Sequence, residues 1–299
     1  MNHGRLYEYT SAANPRLPQV PIFFHNINSY SSDPTKIIPF NNQEELVTEY
    51  PATTPSLLAS FIKILKNEDI ETNVNATSQF FYVIKGKGYS MIENKYVYWN
   101  EGDIFVVPNT INNTMSHVAM KDSYLFWVND EPLLNYLGVI PNVPKFELTF
   151  FKHDRIMEKL EEIRIENEKL NLNRLGILFG NKDTENNTKT ITHTLWSLFN
   201  ILPANTLQKP HRHNSVALDL CVFSDKEQKE VYTLIGKDLD ENGNIIDPVK
   251  CYWETGTIFI TPPGLWHSHH NETDNDAYVL PVQDAGLHTY LRTLDIQFA

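Results

Sequence analysis

The sequence predicts a mainly β protein made of two successive β domains joined by a helix. Three observations point to this. Short runs of β-branched and aromatic residues, parted by turn residues, fill both halves of the chain. Between them, residues 154–172 (DRIMEKLEEIRIENEKLNL) place Ile156, Leu160, Ile163 and Ile165 near helical spacing on a charged background. After Thr190 the strand pattern starts again, as expected for two similar β units around a connector.

Residues 1–55 are rich in Pro, Asn and Ser, with short apolar pieces such as Val20-Pro21-Ile22-Phe23-Phe24. They are expected to form an extended arm packed on a β domain. A first domain is expected over 56–150, with strands at Ser56–Lys66, Phe80–Ile84, Tyr89–Ile92, Lys95–Tyr98 and Asp103–Val107. Gly86-Lys87-Gly88 and Asn100-Glu101-Gly102-Asp103 are turns between them. A linker carrying the helix covers 151–189. The second domain covers 190–299, with strands at Leu195–Ile201, Ala217–Phe223, Glu230–Ile235, Val249–Trp253, Thr257–Thr261 and Ala277–Val282. Asp238-Leu239-Asp240-Glu241-Asn242-Gly243 imitates the start of a calcium-binding EF-hand loop, but its twelfth position is Val249 rather than Glu. A hairpin loop is the expected structure.

Composition bounds the function. The 299 residues are 41% hydrophobic and 21% charged, a globular balance, and the formal net charge is -12. Nucleic acid and anionic membrane both need a basic face, so neither is expected as a partner. Cys221 and Cys251 cannot form a disulfide framework, the start MNHGRLYEYT lacks a signal-peptide pattern, and no apolar run approaches ~20 residues. A soluble cytoplasmic protein is expected.

Two stretches of the second domain carry chemistry: PHRH at 210–213 and GTIFITPPGLWHSHHN at 256–271. Alternate strand residues share a face, so His211 and His213 point the same way, and a neighbouring strand can bring His267 to them. Three neutral imidazoles suit a divalent transition metal and leave positions open for water, oxygen or substrate. His269 has the parity to face inward with His267.

The longer stretch matches the second cupin motif, G-x5-P-x-G-x2-H-x3-N, at all of its fixed positions. The chain thus resembles the cupins, and the resemblance implies two jelly-roll barrels. The first cupin motif matches only at the histidine pair: Asn205 stands at its first Gly, and Ala217 and Leu218 stand where a Glu ligand falls. A three-histidine site on His211, His213 and His267 is therefore expected. Laid on the first domain, the motifs put Asn73 and Asn75 at the His pair, Gln79 at the Glu and Asn113 at the last His. Amide oxygens are weak ligands for transition metals, so this barrel is expected to be degenerate and metal-free. Its amides retain the capacity to hydrogen-bond a small polar ligand.

A bicupin with one HRH-bearing barrel resembles the gentisate, salicylate and 1-hydroxy-2-naphthoate dioxygenase family. The likeness rests on HRHNSVAL at 211–218, LWHSH at 265–269 and LDI at 294–296. It implies a non-haem Fe(II) dioxygenase using O2 on a small organic substrate, and a homo-oligomer; Mn, Ni or Zn could replace iron. There are two departures. The family's HRH barrel is usually N-terminal. The family also carries an Arg after the His pair, in a segment like ALRF, where this chain has Ala217-Leu218-Asp219-Leu220. An Arg would clamp an aromatic carboxylate, whereas Asp219 would repel it. Placed six residues after His213 on one strand, Asp219 would face the metal and meet an amine or hydroxyl of the substrate. Asp219 and His269 are thus the candidate catalytic residues. Two other functions stay open: a metal-dependent isomerase, lyase or decarboxylase, and a non-catalytic ligand-binding bicupin.

Overall fold

A computed structural model describes residues 3–110, 114–170, 174–225 and 230–299. The chain forms two β-barrels. In order, the first strands are β1 (Phe24–Asn26), β2 (Lys36–Pro39), β3 (Leu58–Ile64), β4 (Asp69–Asn73), β5 (Ser78–Lys85) and β6 (Lys87–Ile92). Then come β7 (Lys95–Asn100), β8 (Ile104–Pro108), β9 (Thr114–Ala119), β10 (Ser123–Asn129) and β11 (Thr149–Phe151). A helix at His153–Leu170 leads to β12 (Leu175–Leu178), β13 (Trp196–Leu202), β14 (Thr206–Leu207), β15 (His211–His213) and β16 (Ala217–Phe223). The last are β17 (Val231–Gly236), β18 (Val249–Tyr252), β19 (Thr257–Thr261), β20 (Trp266–Asn271), β21 (Ala277–Gln283) and β22 (Ile296–Phe298).

The N-terminal barrel faces the sheet β11-β8-β5-β10-β3-β2 against β4-β9-β6-β7. The C-terminal barrel faces β1-β19-β16-β21-β13-β12 against β18-β17-β20-β15-β22. The segment 1–55 is more than an arm. Its β2 pairs with β3 in the first barrel, while β1 crosses to the second and pairs with β19. The linker likewise donates β12, which pairs with β13. Both additions satisfy backbone groups that an open sheet edge would leave unpaired. No helix among the described residues is long and apolar enough to cross a membrane.

Period-two side-chain alternation decides how the barrels meet. Leu218, Leu220, Ile258 and Ile260 point out of the second barrel and pack in one cluster with Phe80, Tyr82, Val106 and Phe126 from the first. The alternate residues of the same strands, such as Phe259 and Cys221, fill the second barrel's own interior. Strands buried on both faces read as continuous apolar runs, as in SYLFWVN of β10. The connecting helix buries Ile156 and Leu160 in the shared cluster with Ile163 partly covered, but Ile165 is exposed.

Polar groups lock the seam reciprocally. Thr194 of the second half donates to Asp130 Oδ2 (3.0 Å), and Ser56 of the first donates to Asp284 Oδ2 (2.7 Å). Asp130 also accepts from the backbone N–H groups of Thr77 and Ser78. These bonds make burying the two carboxylates tolerable.

The N-terminal barrel is filled by its own side chains. Phe81 stacks on Phe105 at 4.7 Å and on Trp127 at 5.9 Å. Gln79 accepts from Trp127 Nε1 at 3.1 Å, Asn75 donates to Val139 O at 3.0 Å, and the exposed Asn73 donates to Thr114 Oγ1. Each of these amides makes an internal bond, while Asn75 Oδ1 is buried without a partner. Asn113 lies outside the described residues. His117, buried in this barrel, bonds Thr72 and Ser90 and belongs to no group of three or more converging metal donors among the described residues.

Candidate metal centre

The two motif stretches meet as an antiparallel pair. In β15 and β20, His211 lies directly across from His267. Alternation puts His213 on the face of His211, and His269 on the face of His267. A turn carries the chain into β20, and there Gly264 adopts φ +77°, a conformation that suits glycine. Its N–H donates to His213 O at 2.7 Å, tying one motif to the other. Asn271, the last motif residue, is buried and donates to Leu202 O and Asn275 O, so it anchors the end of β20.

One nitrogen from each of His211, His213 and His267 falls within 4.8 Å of the others. Hydrogen bonds set the tautomers. His213 Nδ1 faces Ser215 O at 2.8 Å and His267 Nδ1 faces Leu265 O at 3.2 Å. A carbonyl only accepts, so each Nδ1 carries the proton and each Nε2 keeps a free lone pair. Burial is the first cause holding all three rings neutral: it lowers His211 to about 2 and moves His213 and His267 down as well. Neutral, converging imidazoles form a donor set that fits a divalent transition metal.

The histidines open into a cavity of about 260 Å³, also lined by His269, Asp219 and Arg174. This is room for a single-ring molecule, below the ~300–1,000 Å³ common for drug-sized ligands. His269 Nδ1 lies 2.8 Å from Thr233 Oγ1, which itself accepts from Trp253 Nε1 at 2.8 Å. With Trp253 filling one lone pair, the hydroxyl has its own proton to donate to His269 Nδ1, and in that tautomer Nε2–H is a donor. Burial lowers His269 to about 3, so it is neutral.

Asp219 is 3% exposed and lines the same cavity. Its place on a common strand with His213 is corrected: residues 214–216 turn the chain from β15 into β16, in the opposite sheet. Both side chains still face inward, because β16 alternates Leu218 and Leu220 outward with Asp219 and Cys221 inward. Thr261 donates to Asp219 Oδ2 at 2.7 Å, and burial raises the carboxyl to about 7.

Arg174 was not singled out from the sequence. It precedes β12, far from both motifs, and only the pairing of β12 with β13 brings it to the cavity. Its Nη2 donates to Lys209 O at 2.9 Å and lies 3.0 Å from His211 Nδ1. The guanidinium sits 4.9 Å over the Phe298 ring, and its Nε has no partner. So the cavity does hold a guanidinium, although Asp219 stands where the resembled family carries its Arg. Because Arg174 only donates, it holds the His211 proton on Nε2. Ligation through that nitrogen requires the guanidinium to turn away.

No protein-family model matches the chain. Among curated proteins, 5-aminosalicylate 1,2-dioxygenase of Comamonas sp is 30% identical over 87 residues, 29% of this chain. The matched stretch spans about a quarter (23%) of that protein. Among solved structures, salicylate 1,2-dioxygenase of Pseudaminobacter salicylatoxidans superposes with a TM-score of 0.73 at 13% identity, covering 98% of this chain and 93% of that one. A gentisate complex of a mutant of that enzyme gives 0.73 at 12% identity, covering 98% and 91%. A cupin 2 conserved barrel domain protein of Leptotrichia buccalis gives 0.53 at 14% identity, covering 89% and 99%. The architecture is thus the two-barrel cupin fold of the salicylate dioxygenases.

Proposed function

We propose that this chain is a non-haem iron dioxygenase that opens the ring of a hydroxylated aromatic acid. The reading rests above all on three neutral, converging imidazoles sharing one small cavity with a guanidinium. The likeness to the salicylate and 5-aminosalicylate dioxygenases supports it. His211, His213 and His267 would hold Fe(II), with His211 ligating once Arg174 has left its Nδ1. Bound Fe(II) with open positions supplies the means to bring O2 and an ortho-hydroxy acid together at one centre.

The protein's own groups bind and orient. Arg174 offers Nε and the released Nη2 as a fork for the substrate carboxylate, with Phe298 supporting the plane of the guanidinium. His269, fixed by the Trp253–Thr233–His269 chain, presents Nε2–H toward the substrate oxygen and is a neutral hydrogen-bond donor there. The barrel wall excludes bulk water, which strengthens these contacts.

The test is oxygen uptake by Fe(II)-loaded protein with salicylate, gentisate and 5-aminosalicylate. Uptake equal to substrate consumed, with ring-opened product, is expected. No uptake from a fully iron-loaded protein contradicts the proposal. Metal-dependent turnover without oxygen would instead favour an isomerase or lyase, for which Asp219, held near neutrality, is a ready base.

A further inference from the structure

The cavity has a second polar end that the ring-opening reading does not use. Asp219 lies on β16, in the middle of its sheet, while Arg174 enters from β12 at the edge. The two backbones are three strands apart, about 14 Å along the sheet at ~4.8 Å per strand. Both side chains point into the same space. An aromatic acid anchored by its carboxylate on Arg174 therefore extends its ring into a cavity that also holds a buried carboxyl group.

Within the proposed ring-opening reading, on which it rests, the geometry points to Asp219 as a specificity-determining residue. It selects aromatic acids that carry a second hydrogen-bond donor, a hydroxyl or amine, on the ring away from the carboxylate. Thr261 fixes the side chain by donating to Oδ2, and no described residue donates to Oδ1. Oδ1 of a 3%-exposed carboxyl is then an acceptor waiting for a donor. Its strand neighbours across the sheet are Phe259 and Pro281, and the buried Cys251 thiol, which feels its charge, is pushed up to about 12 and stays protonated. Nor is it a spare metal ligand, since the group of converging donors holds only the three histidines. A second carboxylate on the substrate would be repelled here, and an unsubstituted ring would leave Oδ1 unpaired.

The experiment is anaerobic equilibrium binding of gentisate, 5-aminosalicylate and salicylate to iron-loaded protein, with oxygen uptake measured in parallel. The first two carry a hydroxyl or amine that salicylate lacks. Wild type is expected to bind them on the order of ten- to a hundredfold more tightly than salicylate. Asp219→Leu combined with Thr261→Val replaces both partners by apolar groups of similar shape, which protects the fold. Asp219→Asn is the isosteric control. The double variant should bring the preference below threefold, with salicylate binding more tightly once no carboxylate is left unpaired beside its ring, and Asp219→Asn should reduce the preference part-way. A preference that survives in both variants, or equal binding of the three acids by wild type, overturns the assignment and leaves the aromatic-acid reading standing. Failure of wild type to bind any of the three overturns both.

Discussion

Replacing Arg174 by Ala separates carboxylate binding from metal binding. The side chain contributes a partly buried guanidinium with an unpartnered Nε, one bond to Lys209 O and a stack on Phe298. A charge-assisted hydrogen bond is worth about 1.5–3 kcal/mol, so its loss should raise KM for salicylate by roughly ten- to a hundredfold. Arg174→Lys should recover only part of this, since an ammonium cannot form the planar fork. Metal content should hold, because the positive charge beside His211 opposes both a proton and a metal ion there. The assay is initial-rate oxygen uptake across salicylate concentrations, with iron measured on the same samples. A KM within twofold of wild type, or an equal loss for a phenol without a carboxylate, would refute the assignment.

Leu218 is fully buried between the barrels, so Leu218→Ala should cost about 2–5 kcal/mol in urea denaturation; a cost below ~1 would show that the barrels pack loosely there. His269→Gln should leave iron bound and lower kcat, and an unchanged kcat would remove His269 from the site. Burial raises the Asp219 pKa from its ordinary 3.8 to about 7, so the folded state of the metal-free protein holds this proton more tightly. That contribution to stability is fully present below pH ~4 and is lost as pH rises through about 7. Asp219→Asn should flatten the metal-free protein's decline in stability between pH 4 and 7 by about 1 kcal/mol or more, and parallel wild-type and variant profiles would contradict the buried acid.

The strands visible in the sequence are those whose alternation and turns are local, such as β5 to β8 and β16 to β19. The whole second cupin motif was also legible, because its histidine, glycine and proline spacings reflect one turn and one strand. What escaped depends on distant pairing. β1 finds β19 more than 230 residues away, and nothing around Phe24 announces that partner. β10 was not singled out either, although it is an apolar run buried on both faces as β5 and β19 are. Arg174 reaches the cavity only because β12 closes the sheet edge, so its role could not be read from residues near the histidine pair. Asp219 was placed inside for the wrong reason: the chain turns after His213, and the inward direction is restored on the facing sheet.

The most direct test of the three-histidine centre is elemental analysis of the purified chain after anaerobic Fe(II) loading. One iron per chain is predicted, lost in each of His211→Ala, His213→Ala and His267→Ala and kept in Asn73→Ala and Asn75→Ala. Two ions per chain, or a stoichiometric ion retained after His267→Ala, would contradict it.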